Sequence, residues 1–413
     1  MKNRVVITGM GAVTPIGNTV RDFWAGIKAG KSGAGRITKF DPSEYPVHIA
    51  AELKDFDPTV ALESKEARKM DPFAQYATVA SAEAMNDAGL KPGDVDPERL
   101  GTILGCGIGG FEALETAYFK LFERGPNRVH PMTIPKMISN IGPANVAIKH
   151  NAQGPCFTLT TACSSGTDAI GHSLFWLRQG LCDVVISGGT EACISKMGLT
   201  GFCVLQALST KYNDRPEEAS RPFDKDRDGF LIGEGAGIVI LETYEHAKAR
   251  GAKIYAEVAG YGMTCDANHL TAPHPEGRGA ILASKAALAD AEMEPKRVDY
   301  INAHGTSTPI NDPTETKVVK QVFGDHAYKL KMSSTKSMTG HCIGAAGGIE
   351  AIVCALAIQD QYFPPTIHLQ RPDDECDLDY VPNVGVEGKI DVTMSNSLGF
   401  GGHNGILILK KAE

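Results

Sequence analysis

Long hydrophobic runs are scarce in this chain. No stretch of its 413 residues approaches the ~20 apolar residues that a helix needs to cross a bilayer, and the densest lies near Ala351–Ile358. No membrane span is therefore expected. An excess of positive charge is also missing: 41 Lys and Arg stand against 49 Asp and Glu, a formal net charge of −8. A general nucleic-acid or anionic-membrane surface is excluded on that balance. The ten cysteines form no CxxC pair and no zinc-like spacing, which excludes a thiolate metal knot. The first residues, MKNRVVITGMGAVTPIG, turn strand-like and glycine-rich at once, without a secretory core. A cytoplasmic chain with reduced thiols is the expectation. Low-complexity segments and long linkers are absent too, so the chain reads as one packed body of two to three domains' length.

Glycine is what abounds: 45 of 413 residues, about 11% against a usual ~7%. Many tight turns or close backbone approaches follow. Short β-branched runs bounded by glycine predict buried strands at Arg4–Thr8, Leu100–Leu104, Val184–Ser187, Gly237–Leu241, Tyr255–Ala259, Tyr300–Ala303 and Ile406–Leu409. Asp71 and Pro72 read as the N-cap and first residue of a helix that ends at Gly89, and Pro313 as the opening of another that stops at Gly324. Strand–turn–helix alternation predicts an α/β fold. The chain also echoes itself. VVITGMGAVTP near the start is like YAEVAGYGMT from Tyr255, and the small-residue stretch from Cys163 is like the one after His341. Two halves with a seam near Gly251 account for this.

Three motifs are near misses. Gly105–Gly110 fits GxGxxG after a strand, but no acidic residue closes a second strand about 20 residues on. Gly26 to Ser32 is one residue short of a P-loop and sits at the end of a helical pattern. Asp224, Asp226 and Asp228 open like a calcium loop, but its twelfth position is Gly235 and a strand follows, so a hydrogen-bonded structural loop is expected.

Chemistry concentrates at four glycine-rich turns. In TACSSG, Cys163 lies where a strand ends and a helix begins. There the macrodipole and unpaired N–H groups favour thiolate, so a lowered pKa is expected, and the same amides can hold an oxyanion. His304 sits on a turn after an apolar strand, in NAHGTSTP. His341 follows KSMTG and opens the second small-residue helix, a place that tends to keep imidazole neutral. The run Gly399-Phe400-Gly401-Gly402-His403-Asn404 carries one aromatic among glycines; it reads as a hairpin connection or as a gate.

With RPFDKDRDGF at 221–230, these four motifs together resemble the β-ketoacyl-[acyl-carrier-protein] synthases, in matching order over essentially the whole chain, and most resemble the bacterial type II elongating members. The resemblance implies a thiolase-like α/β fold of two similar halves in five layers, αβαβα, and a homodimer. Residues 1–252 would form the half with the nucleophilic cysteine. Residues 253–413 would form the half with both histidines and the gate loop. By position, Cys163 would be the nucleophile, His304 and His341 would complete the site, and Lys336 would tune it, with Glu315 as its partner. The amides of Cys163 and Phe400 would form the oxyanion hole. Thr306 and Thr308 would bind the pantetheine arm, and Ile108, Phe202 and Phe400 would line or gate the acyl pocket. The implied reaction joins an acyl-ACP primer to malonyl-ACP with loss of CO2, and it needs no metal or redox cofactor. The cluster Lys65, Arg68 and Lys69, just before the Asp71–Pro72 helix, would dock the acidic carrier protein, with Arg128 and Lys211 as the other basic candidates. Neither nucleic acid nor membrane is an expected partner. A stand-alone ketosynthase of a type II polyketide pathway shares these motifs. A chain-length-factor partner would lack Cys163, and a cysteine hydrolase would have no use for a second histidine. Departures from the family pattern are His403 in place of Thr, Gln206 in place of a basic docking residue, and Thr133 in place of a bulky pocket-floor residue.

Overall fold

A computed structural model describes residues 3–413. Ten strands form its main sheet: β1 Val5–Val13, β2 Leu100–Gly105, β3 Cys156–Leu159, β4 Val184–Glu191, β5 Gly235–Thr243, β6 Ala256–Cys265, β7 Tyr300–Asn302, β8 Lys331–Ser333, β9 Val392–Gly399 and β10 His403–Lys410. The order across the sheet is β8-β7-β9-β10-β6-β1-β5-β4-β2-β3. Read outward from the centre, both halves repeat one pattern. β1 pairs antiparallel with β5, β5 antiparallel with β4, and β4 and β2 parallel with their next neighbours. β6, β10, β9, β7 and β8 repeat that sequence of pairings. The halves meet where Val6 and Ile7 of β1 pair with Glu257 and Ala256 of β6. The sequence echo between the first strand and Tyr255 thus falls on strands in equivalent places.

The helices that position the site are α1 Ser64–Ala67, α2 Pro72–Asp87, α3 Phe111–Arg124, α4 Ile141–His150, α5 Ser165–Arg178, α6 Lys196–Val204, α7 Arg278–Asp290, α8 Asn311–Phe323, α9 Lys336–Thr339 and α10 Ala346–Asp360. α2 and α4 cover the outer face of the first half, and α7 that of the second, with α8 packed beside α7. α5 and α10 lie between the two halves, giving the layers αβαβα. α2 begins as expected: Pro72 takes a position whose N–H needs no partner, and the Asp71 carboxylate accepts from the Phe73 amide at 3.5 Å. α8 starts two residues before Pro313 rather than at it, since the first turn leaves several N–H groups unpaired and a proline fits at any of them.

The middle layer explains the glycine. A Cβ on Gly348 of α10 would lie 2.2 Å from the Gly237 carbonyl of β5, and one on Gly166 of α5 would lie 2.8 Å from the Gly348 amide. The helices and strands meet backbone to backbone. Residues Ile343–Asp360, the turn into α10 and the helix itself, are long and apolar enough to cross a membrane by length and composition, but 89% of them is buried inside the protein. Apolar contact on every side is what a helix between two sheets requires.

Candidate active site

Cys163 stands in a 3-10 turn, Ala162–Ser164, between β3 and α5. Ala162 is held at φ +51°, a left-handed conformation that costs a non-glycine residue energy and needs bracing. The bracing comes from Asp168, fully buried one turn into α5. Its carboxylate accepts from Ser164 Oγ at 2.9 Å, Thr161 Oγ1 at 2.5 Å and Tyr261 OH at 2.7 Å. The backbone N–H groups of Phe400 and of Cys163 itself favour the thiolate form of the sulfur. The lowered thiol pKa expected at a helix N-terminus is not found. Burial pushes the Cys163 thiol up to about 12, and the Lys336 ammonium and the two amides offset only part of that.

His304 follows β7, and His341 follows α9. Both are buried. Their rings lie 5.4 Å apart, nearly perpendicular at 89°. His304 Nδ1 and both ring nitrogens of His341 are buried without a protein partner. Burial first, and the Lys336 charge second, hold both imidazoles well below their ordinary pKa. His341 is thus kept neutral as expected, but mainly by desolvation rather than by the helix. Phe230 stacks edge-on against the His341 ring at 5.3 Å and against Phe202 at 5.4 Å.

The expected Lys336–Glu315 pair does not form. Lys336, 2% exposed, bonds Glu350 of α10 instead. Glu315 is turned to the backbone: Oε1 accepts from the His304 amide at 2.8 Å and Asn396 Nδ2 at 3.1 Å, and Oε2 accepts from the Gly305 amide at 2.8 Å. Two neighbouring N–H groups in one turn satisfy a carboxylate without a cation. Burial pushes the Glu350 carboxyl up to about 7, and the Lys336 ammonium pulls it down.

A cavity of about 460 Å³ joins these parts. It is lined by Cys163, His304, His341, Ile108, Phe202, Phe400, Thr306 and Thr308, so every expected pocket, arm-binding and oxyanion residue faces it. Thr306 and Thr308 share a hydrogen bond at 3.2 Å. Phe400 occupies the tip of the β9–β10 hairpin, so the glycine loop is both the connection and part of the cavity wall. Gln206 and His403 also line it. Lys336 lies behind the wall rather than in it. Lys65, Arg68 and Lys69 lie outside the cavity, exposed on and just after α1, where Lys136 Nζ joins them by donating to the Arg68 carbonyl at 2.7 Å.

Sequence reasoning missed Glu350, Glu191, Phe230 and Asp168. Glu350 left a signal, as the single charge in the apolar stretch AGGIEAIVCALAI. Glu191 and Phe230 gain their meaning only from distant neighbours, and Asp168 from the local Thr161 and Ser164 together with the distant Tyr261. The calcium-like loop is tied internally: Asp224 accepts from Arg221 Nε at 3.0 Å and Asp228 from Ser209 Oγ at 2.6 Å. Among the described residues no three of His, Cys, Asp and Glu gather as metal ligands. Asn302 Oδ1, Glu350 Oε2, Ser395 Oγ and Asn396 Oδ1 are buried oxygens without a protein partner.

Residues 2–247 match the family model for the beta-ketoacyl synthase N-terminal domain, and residues 255–370 match that for the C-terminal domain. A 3-oxoacyl-[acyl-carrier-protein] synthase 2 from Synechocystis sp. is 52% identical over 412 residues, covering 100% of this chain and 99% of its own length. The protein of that name from Coxiella burnetii is 50% identical, covering 99% of both chains. Among solved structures, a type II polyketide ketosynthase in complex with its acyl-carrier protein and bound to the hexaketide is 34% identical over all of both chains, with a TM-score of 0.93.

Proposed function

The chain belongs to the β-ketoacyl synthase family, and on that premise we propose that Cys163, His304 and His341 carry out a decarboxylating condensation between acyl-ACP and malonyl-ACP. The enzyme is a condensing acyltransferase of fatty acid elongation. One observation carries the assignment of residues: a cysteine at the start of a helix faces the same cavity as two buried imidazoles with unpartnered nitrogens.

In the first half-reaction the Cys163 sulfur attacks the thioester carbonyl of the primer. The tetrahedral oxyanion is held by the Cys163 and Phe400 amides. Its collapse breaks the C–S bond to pantetheine, whose sulfur takes up the proton that Cys163 gave. Phe400 gates the path to Cys163. In the second, malonyl-ACP loses CO2, and the electron pair of the broken C–C bond moves to the thioester oxygen as an enolate. N–H donors from His304 and His341 stabilise that charge, a type of contribution typically worth about 3–4 kcal/mol per donor. The enolate carbon then attacks the acyl-Cys163 carbonyl, a C–C bond forms, and Cys163 leaves as thiolate. Lys336 favours that thiolate by its charge. Thr306 and Thr308 hold the pantetheine arm, and Ile108 and Phe202 line the acyl pocket. Loss of CO2 drives the step, so no redox cofactor enters.

Lys65, Arg68 and Lys69 are the proposed carrier-docking patch, because complementary charge steers an acidic partner. A homodimer is supported by the open edge of β3 and by exposed apolar side chains at Tyr118, Phe119, Phe122 and Ile134. The division at residues 252/253 is the proposed boundary of the halves, and the ten free cysteines fit a cytoplasmic setting. A polyketide role has support in the likeness to the solved ketosynthase, though at lower identity than the fatty acid relatives. Mass spectrometry of the protein incubated with acyl-ACP, with and without malonyl-ACP, separates the readings. The expected result is an acyl adduct on Cys163 that malonyl-ACP discharges as one β-ketoacyl-ACP, with repeated condensation marking the polyketide alternative. Cys163→Ala should form no adduct yet still decarboxylate malonyl-ACP, and a covalent acyl-enzyme in that variant would refute the assignment.

A further inference from the structure

Glu191 ends β4, is fully buried, and plays no part in the steps above. Its carboxylate joins two segments that come from opposite halves of the molecule. Oε2 accepts from the Gly107 amide at 2.8 Å and from the Gly344 amide at 3.2 Å, and Oε1 lies 3.6 Å from the donating Cys106 Sγ. The Ile108 amide bears on the same carboxylate. Gly107 follows β2, and Gly344 lies in the turn that leads into α10. Neither segment tolerates a larger residue at its contact: a Cβ on Gly107 would lie 2.7 Å from Oε2, and one on Gly344 2.8 Å.

Each glycine adjoins a residue of the cavity wall, Ile108 on one side and Ile343 on the other. Ile343 is held at φ +44°, a conformation that a β-branched residue adopts only when its surroundings impose it. The hydrogen bond to the next residue's amide is such a constraint.

We propose that Glu191 is a positioning residue that clamps the Ile108 and Ile343 walls of the acyl pocket to each other and thereby sets how well long primers are accepted. This rests on reading the cavity as the acyl pocket. A buried carboxylate with a merely structural role would, when changed, lower stability and every activity together. A clamp on the pocket walls acts on the part of the primer that touches them.

Two variants test this. Glu191→Gln keeps the shape, but a neutral amide oxygen in the place of Oε2 holds both amides more weakly than the carboxylate does, and its NH2 group takes the place of Oε1 beside Cys106 Sγ. Glu191→Asp keeps the charge, but it is one methylene short of spanning both. kcat/KM is measured with acetyl and dodecanoyl primers on the acyl carrier protein, together with decarboxylation of malonyl-ACP alone. In both variants we expect the dodecanoyl value to fall about tenfold through KM, with acetyl and decarboxylation within about twofold of wild type. Equal loss with both primers, or no loss with either, overturns the proposal while leaving the condensing function in place. If Glu191→Gln does not fold, the comparison is read from Glu191→Asp with the same two outcomes. A wild-type protein that elongates neither primer overturns the functional reading and this inference with it.

Discussion

Replacing Glu315 tests how His304 is held. The carboxylate accepts three hydrogen bonds, two from adjacent backbone amides and one from Asn396, and it is 1% exposed. Burial pushes this carboxyl up, and the three donors pull it down. A hydrogen bond to a charged group contributes ~1.5–3 kcal/mol net, and a buried donor left dry costs ~1–3 kcal/mol. Glutamine retains one oxygen and turns an NH2 group against an N–H, so one bond is lost and one donor stranded, for about 3 kcal/mol. Alanine removes all three bonds, for about 5 kcal/mol. The consequence for activity is larger than stability alone implies. His304 hangs from one of those amides, and a displacement of ~1 Å in a reacting group costs about 10²-fold. The assay pairs urea unfolding, followed by circular dichroism, with release of labelled CO2 from malonyl-ACP in buffer where the variant is folded. Glu315→Gln should lose stability and slow decarboxylation, while binding of malonyl-ACP changes less. Stability within about 0.5 kcal/mol of wild type and undiminished CO2 release would refute the view that Glu315 positions His304.

Lys336→Met should cost about 3–5 kcal/mol by stranding the buried Glu350 carboxylate; adding Glu350→Gln should recover much of that in urea unfolding but none of the condensing activity. Lys65→Glu with Arg68→Glu should raise KM for acyl-ACP and flatten its salt dependence. A short acyl-CoA should react as before, and equal loss on both substrates would place the damage in the site instead of the docking patch. His304 and His341 both have depressed pKa values in the folded protein, so the unfolded chain binds more protons below its own histidine pKa near 6.5. Their contribution is complete above that pH and is lost as pH falls, by up to about 1.4 kcal/mol per unit for each histidine. The double variant His304→Asn/His341→Asn should therefore show a shallower loss of stability between pH 6.5 and 5 than wild type, measured by urea unfolding.

Much of the site was legible in the linear chain because its functional groups sit on turns, and turns write themselves in local composition. Cys163, His304, His341 and Phe400 each lie in a short run of Gly, Ser, Thr or Asn at the end of a strand or, for His341, of a short helix, and each such run recurs in the structure as a cavity wall. α2 was legible from its cap and first proline. The echo between the start of the chain and Tyr255 pointed to the duplicated pairing order of the two five-strand sets. What stayed hidden were the partners of buried charges. Glu315 and Glu350 are both acids near Lys336, and nothing in their sequence neighbourhoods says which one turns to the ammonium.

The sequence by itself marked the turns whose residues line the cavity, the places of most strands and helices, and the doubling of the chain, because those depend on local backbone preference and on repeats. Only the tertiary structure decided that Lys336 pairs with Glu350, that Glu315 holds the His304 turn, and that Glu191 ties Gly107 to Gly344. It also decided that the Cys163 thiol is raised by burial despite its helix N-terminus. The reason is the same in each case. Desolvation and the choice of a hydrogen-bond partner inside a protein depend on which atoms from distant parts of the chain arrive within about 3 Å, and in a molecule whose two halves close around one cavity those atoms come from far apart in sequence, 153 residues in the contact of Glu191 with Gly344.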